Sequence, residues 1–166
     1  MLMNQKGFTL LEVLIAALVL SLGLLGTAGM QIISLKNTNS AYQRAQATQL
    51  AYDIIDRMRA NRDEAEKSDS KSKYAIAYGG KTYAASSLPD CETKNCDSGT
   101  MAGYDVANWK VALAATLPSG DGSVSIDTAS KMVTVDIRWD DVVVEFDSED
   151  WIQSRKPLTL SFRTEL

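Results

Sequence analysis

Two cysteines, Cys91 and Cys96, and a dense run of carboxylates, Asp140, Asp141, Glu145, Asp147, Glu149 and Asp150, are the residues whose type and spacing could do chemistry here. The cysteines stand as C-x4-C, which is not the C-x-x-C redox pattern, and two are too few for a cysteine-only zinc site within one chain. Calcium needs six or more oxygens around one point, and the EF-hand spacing is absent from the sequence, so the acidic run reads as a solvated loop. A pair of its carboxylates could in principle serve a glycosidase, but nothing else in the sequence supports that chemistry. Histidine is absent altogether, which excludes His-based triads, His-ligated zinc and an imidazole base within this chain. There is no P-loop, nucleophile elbow or Gly-rich cofactor turn. The sequence therefore assigns no catalytic residue, no metal ligand and no cofactor.

The elements that carry these residues are unevenly distributed. The 166 residues are 45% hydrophobic and 23% charged, ordinary globular values, with 17 Lys+Arg against 21 Asp+Glu and a formal net charge of -4. From Phe8 to Ile33 runs FTLLEVLIAALVLSLGLLGTAGMQII, in which Glu12 is the only charge and proline is absent. As a helix it would span about 39 Å, enough to cross a hydrocarbon core of roughly 30 Å. It is too long for a secretory signal and has no clear A-x-A-like cleavage site after it. A plain anchor does not explain Glu12, because an ionised carboxylate inside an apolar helix costs on the order of 3 kcal/mol and calls for a partner. No Lys or Arg lies within a helical turn of it. Cleavage between Gly7 and Phe8 would create such a partner, a free α-amino group at the head of the helix, on this chain or a neighbour.

Lys6-Gly7-Phe8-Thr9-Leu10-Leu11-Glu12 followed by an apolar run resembles the processing motif of type IV pilins and pseudopilins. The resemblance implies a leader, residues 1–7, removed after Gly7 by an inner-membrane prepilin peptidase that then N-methylates Phe8. It also implies that Glu12 pairs with the α-amino group of an adjacent subunit during filament assembly. Membrane lipid before assembly, other minor and major pilins, and the inner-membrane assembly machinery are the partners it implies. The expected location is the bacterial inner membrane with a periplasmic head, and then a cell-surface pilus. In a periplasmic head Cys91 and Cys96 are expected to form a structural disulfide, worth roughly 2 kcal/mol for so short a loop.

The apolar pattern continues past the membrane segment, 8–33, as a stripe. Ala41, Ala45, Thr48, Tyr52, Ile55 and Met58 follow helical steps, flanked by Leu50 and Ile54, which predicts one helix over 8–62. At about 80 Å, such a helix needs lipid or neighbouring subunits along half its length. Asp53 with Arg57 and Asp56 with Arg59 have pairing distances on a solvated helix end. The string from Leu50 to Arg62 resembles the stalk of PilV-type minor pilins, as does the cysteine pair ahead of Tyr104-Asp105-x-x-x-Trp109-Lys110, a string read as packing and surface charge. Gly23, Gly26 and Gly29 suit close helix packing or local melting, or simply weaken the helix.

Residues 63–166 form the expected head. Asp63–Lys73 reads as a helix exit and linker, and Tyr74, Ile76 and Tyr78 as a short strand or ordered loop before Gly79-Gly80. Val106, Trp109, Leu113 and Leu117 share a face of a helix from about Thr100, a possible N-cap, to Leu117. Val133, Val135, Ile137 and Trp139 alternate with polar residues as a strand. Ser123–Asp127 and Val142–Phe146 are its neighbours, the latter joined through Asp140-Asp141, and Leu158, Leu160 and Phe162 mark the last strand. An antiparallel sheet covered by the amphipathic half of the long helix makes an α+β fold that resembles the pilin ladle. The head carries 11 Lys+Arg against 18 Asp+Glu, which argues against direct nucleic-acid binding. The expectation is a minor pilin acting in pilus assembly, priming or decoration. A type II secretion pseudopilin, or an adhesin or ligand-binding head mounted on the stalk, are the alternatives.

Overall fold

A computed structural model of the chain describes Gly7 and residues 9–80, 90–147 and 150–166, the stretch 142–154 as backbone only. Phe8, residues 1–6 of the expected leader, and Glu149 lie outside the described residues. Two compact units meet between Asn39 and Ser40.

The first unit is the N-terminal part of α1, Leu10–Ala60. Thr9 starts it: its carbonyl accepts from the Glu12 and Val13 amides, and its hydroxyl accepts from the Glu12 amide at 3.3 Å. Every residue from Leu10 to Leu35 is exposed, the leucines at 53–82%. The hydroxyls of Ser21, Thr27 and Thr38 turn back to carbonyls three or four residues earlier, so these hydroxyls are satisfied by the helix itself.

The second unit adds α2 (Arg62–Ala65), α3 (Ser98–Thr116) and three strands, β1 (Asp121–Asp127), β2 (Met132–Asp147) and β3 (Asp150–Glu165). The strands form one antiparallel sheet in the order β1-β2-β3, and Ile76 adds a single bridge to Val124 on the outer side of β1. Alternation places Val133, Val135, Ile137 and Trp139 on one face, where they pack with Val106, Trp109 and Leu113 of α3 and with Ala47, Ala51, Ile54, Ile55 and Met58 of α1. The long helix thus covers the sheet as expected. The Trp109 indole N–H donates to the Leu50 carbonyl at 2.9 Å, locking α3 against α1. Gly122 is required at its position, because a Cβ there would come within 2.4 Å of the Trp109 ring.

Several expectations are corrected. The buried stripe of α1 is Gln43, Ala47, Ala51, Ile54, Ile55 and Met58; Ala41, Ala45 and Tyr52 are exposed. The small side chains at 47 and 51 let neighbouring elements approach, so the face is chosen by fit and not by size of the apolar residue. Asp63–Lys73 is no linker: Glu64, Ala65 and Ser72 are buried in it. The N-cap of α3 is Asp97, whose carboxylate accepts from the Thr100 amide at 2.8 Å and hydroxyl at 3.0 Å. Asp140-Asp141 is not a turn, since β2 runs through it without a break from Met132 to Asp147. Asp141 is buried and accepts from the Ser40 hydroxyl at 2.6 Å, while its strand neighbour Asp140 is half-buried, so the solvated acidic loop is replaced at these two positions by strand.

The contacts fix directions inside this unit. Asp141 lies beside Ser40, whereas Thr164, paired with Val133, takes a hydrogen bond from Arg59 at 3.2 Å. β2 therefore runs antiparallel to the Ser40–Ala60 part of α1, and β3 runs parallel to it. On β3, Pro157 pairs with Asp140, whose own amide donates to the Pro118 carbonyl away from β3. The pair is a non-hydrogen-bonded one, so the Pro157 nitrogen sits on the open edge of the sheet.

Candidate functional site

The residues singled out for assembly fall in the first unit. Gly7 is exposed, Phe8 lies outside the described residues, and Glu12 stands exposed in the first turn of α1. A carboxylate there faces the positive end of the helix dipole, yet no Lys or Arg occurs in the sequence between Phe8 and Gln31 to pair with it. The helix is long and apolar enough to cross a membrane. Cys91 and Cys96 are joined as a disulfide, with their Cα atoms 5.6 Å apart. The loop it closes is tied at both sides: Asp90 accepts from the Thr93 amide and hydroxyl, and the Tyr104 hydroxyl donates to Glu92 at 2.5 Å. Next to Cys96, Asp97 caps α3, and its two bonds from Thr100 hold its carboxyl below the ordinary range.

Polar residues that sequence reasoning read as surface charge turn out to be internal. Asp105 and Lys110 of α3 are 5% and 3% exposed. Asp105 accepts from Arg57 at 3.0 Å and from the Tyr74 hydroxyl at 2.7 Å. Arg57 also donates to Asp53 at 3.0 Å. Burial works against the Arg57 charge, but the hydrogen bonds to Asp53 and Asp105 outweigh it and raise its pKa. Burial, and then the bond to Asp105, push the Tyr74 hydroxyl well above the tyrosine range, so it stays a donor. Asn61 completes the cluster by donating to the Ser98 carbonyl at 2.8 Å. The end of α1, Tyr74 and α3 are thereby bound at one point.

A second cluster centres on Lys110, whose ammonium donates to Asp121 at 2.5 Å, to the Gly122 carbonyl and to the Ala77 carbonyl at 3.4 Å. Asp121 also accepts from the Gly79 and Gly122 amides, each at 2.8 Å, and from Arg138 at 3.2 Å. Burial alone would raise the Asp121 pKa; Lys110 and the two amides lower it. Arg138 in turn lies over the Tyr78 ring, 4.2 Å from its centre. The third cluster is Glu64, buried, accepting from Lys67 and from the Lys73 amide at 2.8 Å, which together outweigh burial and lower its pKa. All three clusters use their charges to hold loops against helices and strands. The sequence signal for two of them was the spacing of Asp105 and Lys110 among the apolar positions of α3, where a charge next to Val106 and Trp109 is forced inward.

Compared with known protein families, residues 29–107 match the family model described as type IV pilin Tt1218, and residues 2–28 match the prokaryotic N-terminal methylation motif. No curated protein and no solved structure matches the chain.

Proposed function

Since the chain belongs to the type IV pilins, we propose that it works as a minor pilin, most like the PilV type, that primes or decorates a type IV pilus. Its leader, residues 1–7, would be cut after Gly7 by the prepilin peptidase and Phe8 methylated. The apolar helix would hold the subunit in the inner membrane with its head in the periplasm until assembly with other pilins. The observation that carries this reading is the methylation motif over residues 2–28, continuous with an apolar helix whose leucines from Leu10 to Leu35 are all exposed and so require lipid or other helices. Glu12, at the start of that helix, is assigned to the pairing of neighbouring subunits: in the low-dielectric core of a filament it would accept from the methylated α-amino group of the adjacent chain. The head contributes a braced surface, and the family is a structural one rather than an enzyme family.

The test is intact mass and quantity. The protein extracted from membranes and from sheared pili should begin at methylated Phe8, and deletion of its gene should lower pilus number, restored by the wild-type copy. Residues 1–7 still attached in piliated cells, or pili unchanged by the deletion and free of the subunit, would refute the reading.

A further inference from the structure

The face of the sheet turned away from α1 carries a groove. Alternation sends Val124, Val135 and Ile137 into the core, so Ser123 and Ser125 of β1, and Asp136 of β2 in register with Ser123, face the other way. Residues 75–78 run along the outer side of β1, held there by the Ile76 amide and carbonyl, which bond to Val124 at 3.0 and 2.9 Å. Between this segment and the sheet is a cleft of about 390 Å³. Ala75, Ala77 and Tyr78 line it from the segment, and Ser123, Ser125 and Asp136 from the sheet. Asp69 borders it as well.

The two carboxylates stand at opposite ends. Asp69 accepts from the Ile126 amide at 2.9 Å, and Asp136, beside Ser123, accepts from the Ser161 hydroxyl. Ser123 and Ile126 are three residues apart, so the carboxylates are separated by roughly 10 Å along the strand. Each bond occupies one carboxylate oxygen, and neither aspartate enters an ion pair among the described residues. The arginines of this face are engaged elsewhere: Arg138 donates to Asp121 at 3.2 Å and lies over the Tyr78 ring, and Arg163 has Asp127 as its electrostatic partner. At the Asp136 end the Tyr78 hydroxyl is buried with no hydrogen-bond partner among the described residues, and an ammonium proton is a donor for it.

This layout selects a ligand by charge and length. A calcium ion needs six or more oxygens around one point, and carboxylates this far apart cannot share it. A neutral ligand leaves both negative charges unanswered, whereas an elongated dication meets both. We propose that the groove binds a linear aliphatic polyamine of the spermidine class, one terminal ammonium on Asp136 and the other on Asp69. The nitrogen between them donates to the Ser123 and Ser125 hydroxyls, and the methylenes lie along Ala75 and Ala77. Nothing in this assignment depends on filament assembly.

The test is calorimetric titration of spermidine into the full chain purified in detergent. Saturable binding is expected, weakened about tenfold by Asp69→Asn and by Asp136→Asn, as loss of a charge-assisted hydrogen bond does. Asparagine keeps an oxygen to accept from the Ile126 amide or the Ser161 hydroxyl, so an unchanged urea midpoint should accompany the loss. Ser125→Lys, at an exposed position between the carboxylates, places the chain's own ammonium in the groove and should abolish binding. Butylamine, with a single ammonium, should bind about tenfold more weakly than spermidine, and magnesium at equal concentration should not displace the polyamine. Asp56→Asn, on the exposed side of α1, should leave the affinity unaltered. No saturable binding to the wild type, undiminished binding in Ser125→Lys or in the two groove asparagine variants, equal affinity for butylamine, displacement by magnesium, or an equal loss in Asp56→Asn would each overturn the proposal.

Discussion

Replacing Lys110 with Met removes the charge at the centre of the second cluster while keeping a long flexible side chain. The Lys110 side chain is 2% exposed. Its loss strips the donor from the Gly122 and Ala77 carbonyls, at about 1 kcal/mol each. Asp121 loses its closest cation but keeps Arg138 and two amides, and is 20% exposed. It therefore costs less than the roughly 3–5 kcal/mol of a buried charge left wholly alone. The total works out at about 3 kcal/mol, equivalent to a fall of roughly 10 °C in the midpoint for a head of this size. The comparison is Arg62→Ala, which breaks the pair with Glu66, both side chains about 60% exposed, and should cost under ~1 kcal/mol. Urea-dependent proteolysis of the head in native membranes measures both. In an Asp121→Asn background the same Lys110→Met change should cost at least ~1 kcal/mol less, because the pair is then already broken. If Lys110→Met and Arg62→Ala fall within 1 kcal/mol of one another, the bracing role assigned to the buried lysine is wrong.

Glu12→Leu should leave membrane abundance equal or higher, since it removes a penalty of about 3 kcal/mol, yet reduce incorporation into sheared pili; normal processing with wild-type incorporation would refute the pairing role. Cys91→Ala should lower head stability by roughly 2 kcal/mol in urea titrations, and non-reducing peptide mapping of the wild type should recover Cys91 and Cys96 in one linked fragment. Gln43 is buried with a side-chain oxygen that has no hydrogen-bond partner among the described residues, so Gln43→Leu should stabilise the head by about 1 kcal/mol in the same assay. Asp121 and Glu64 both have folded pKa values below their unfolded ones, so their contribution is complete above the ordinary carboxylate range and is lost as pH falls through the lower folded values. Unfolding free energy should accordingly be nearly flat from pH 7 to about 5 and drop below pH 4.

The long helix, the change of period from α3 to β2 and the last strand were all legible, because each is written as a local repeat. Thr100 was read as a cap where Asp97 does the capping; both are three apart and bonded, and an aspartate just before Ser98-Gly99 carried the correct signal. What local patterns could not convey was the destination of charges. Asp105 finds Arg57 across 48 residues, and Lys110 finds Asp121 only because α3 and β1 fold against each other. The stripe on α1 was misplaced for a related reason: Tyr52 looks like a core residue, but it is exposed, its ring tilted against that of Phe162 with centres 5.8 Å apart, while Ala47 and Ala51 take the interior. Asp140-Asp141 looked like a turn on composition, and burial of Asp141 beneath Ser40 is a tertiary fact.

The position of Pro157 bears on how the open edge of the sheet meets other chains. Subunits confined to a membrane share a plane, in which encounters between heads are frequent and similarly oriented, and an uninterrupted strand margin is an invitation to premature coalescence. With its nitrogen on that margin, Pro157 divides the available amides of β3 into two stretches, one of them ending in Arg155 and Lys156. A ladder with a like chain cannot run unbroken through that position. An interruption of edge-to-edge pairing is thus written into one ring of five atoms at the edge of the sheet.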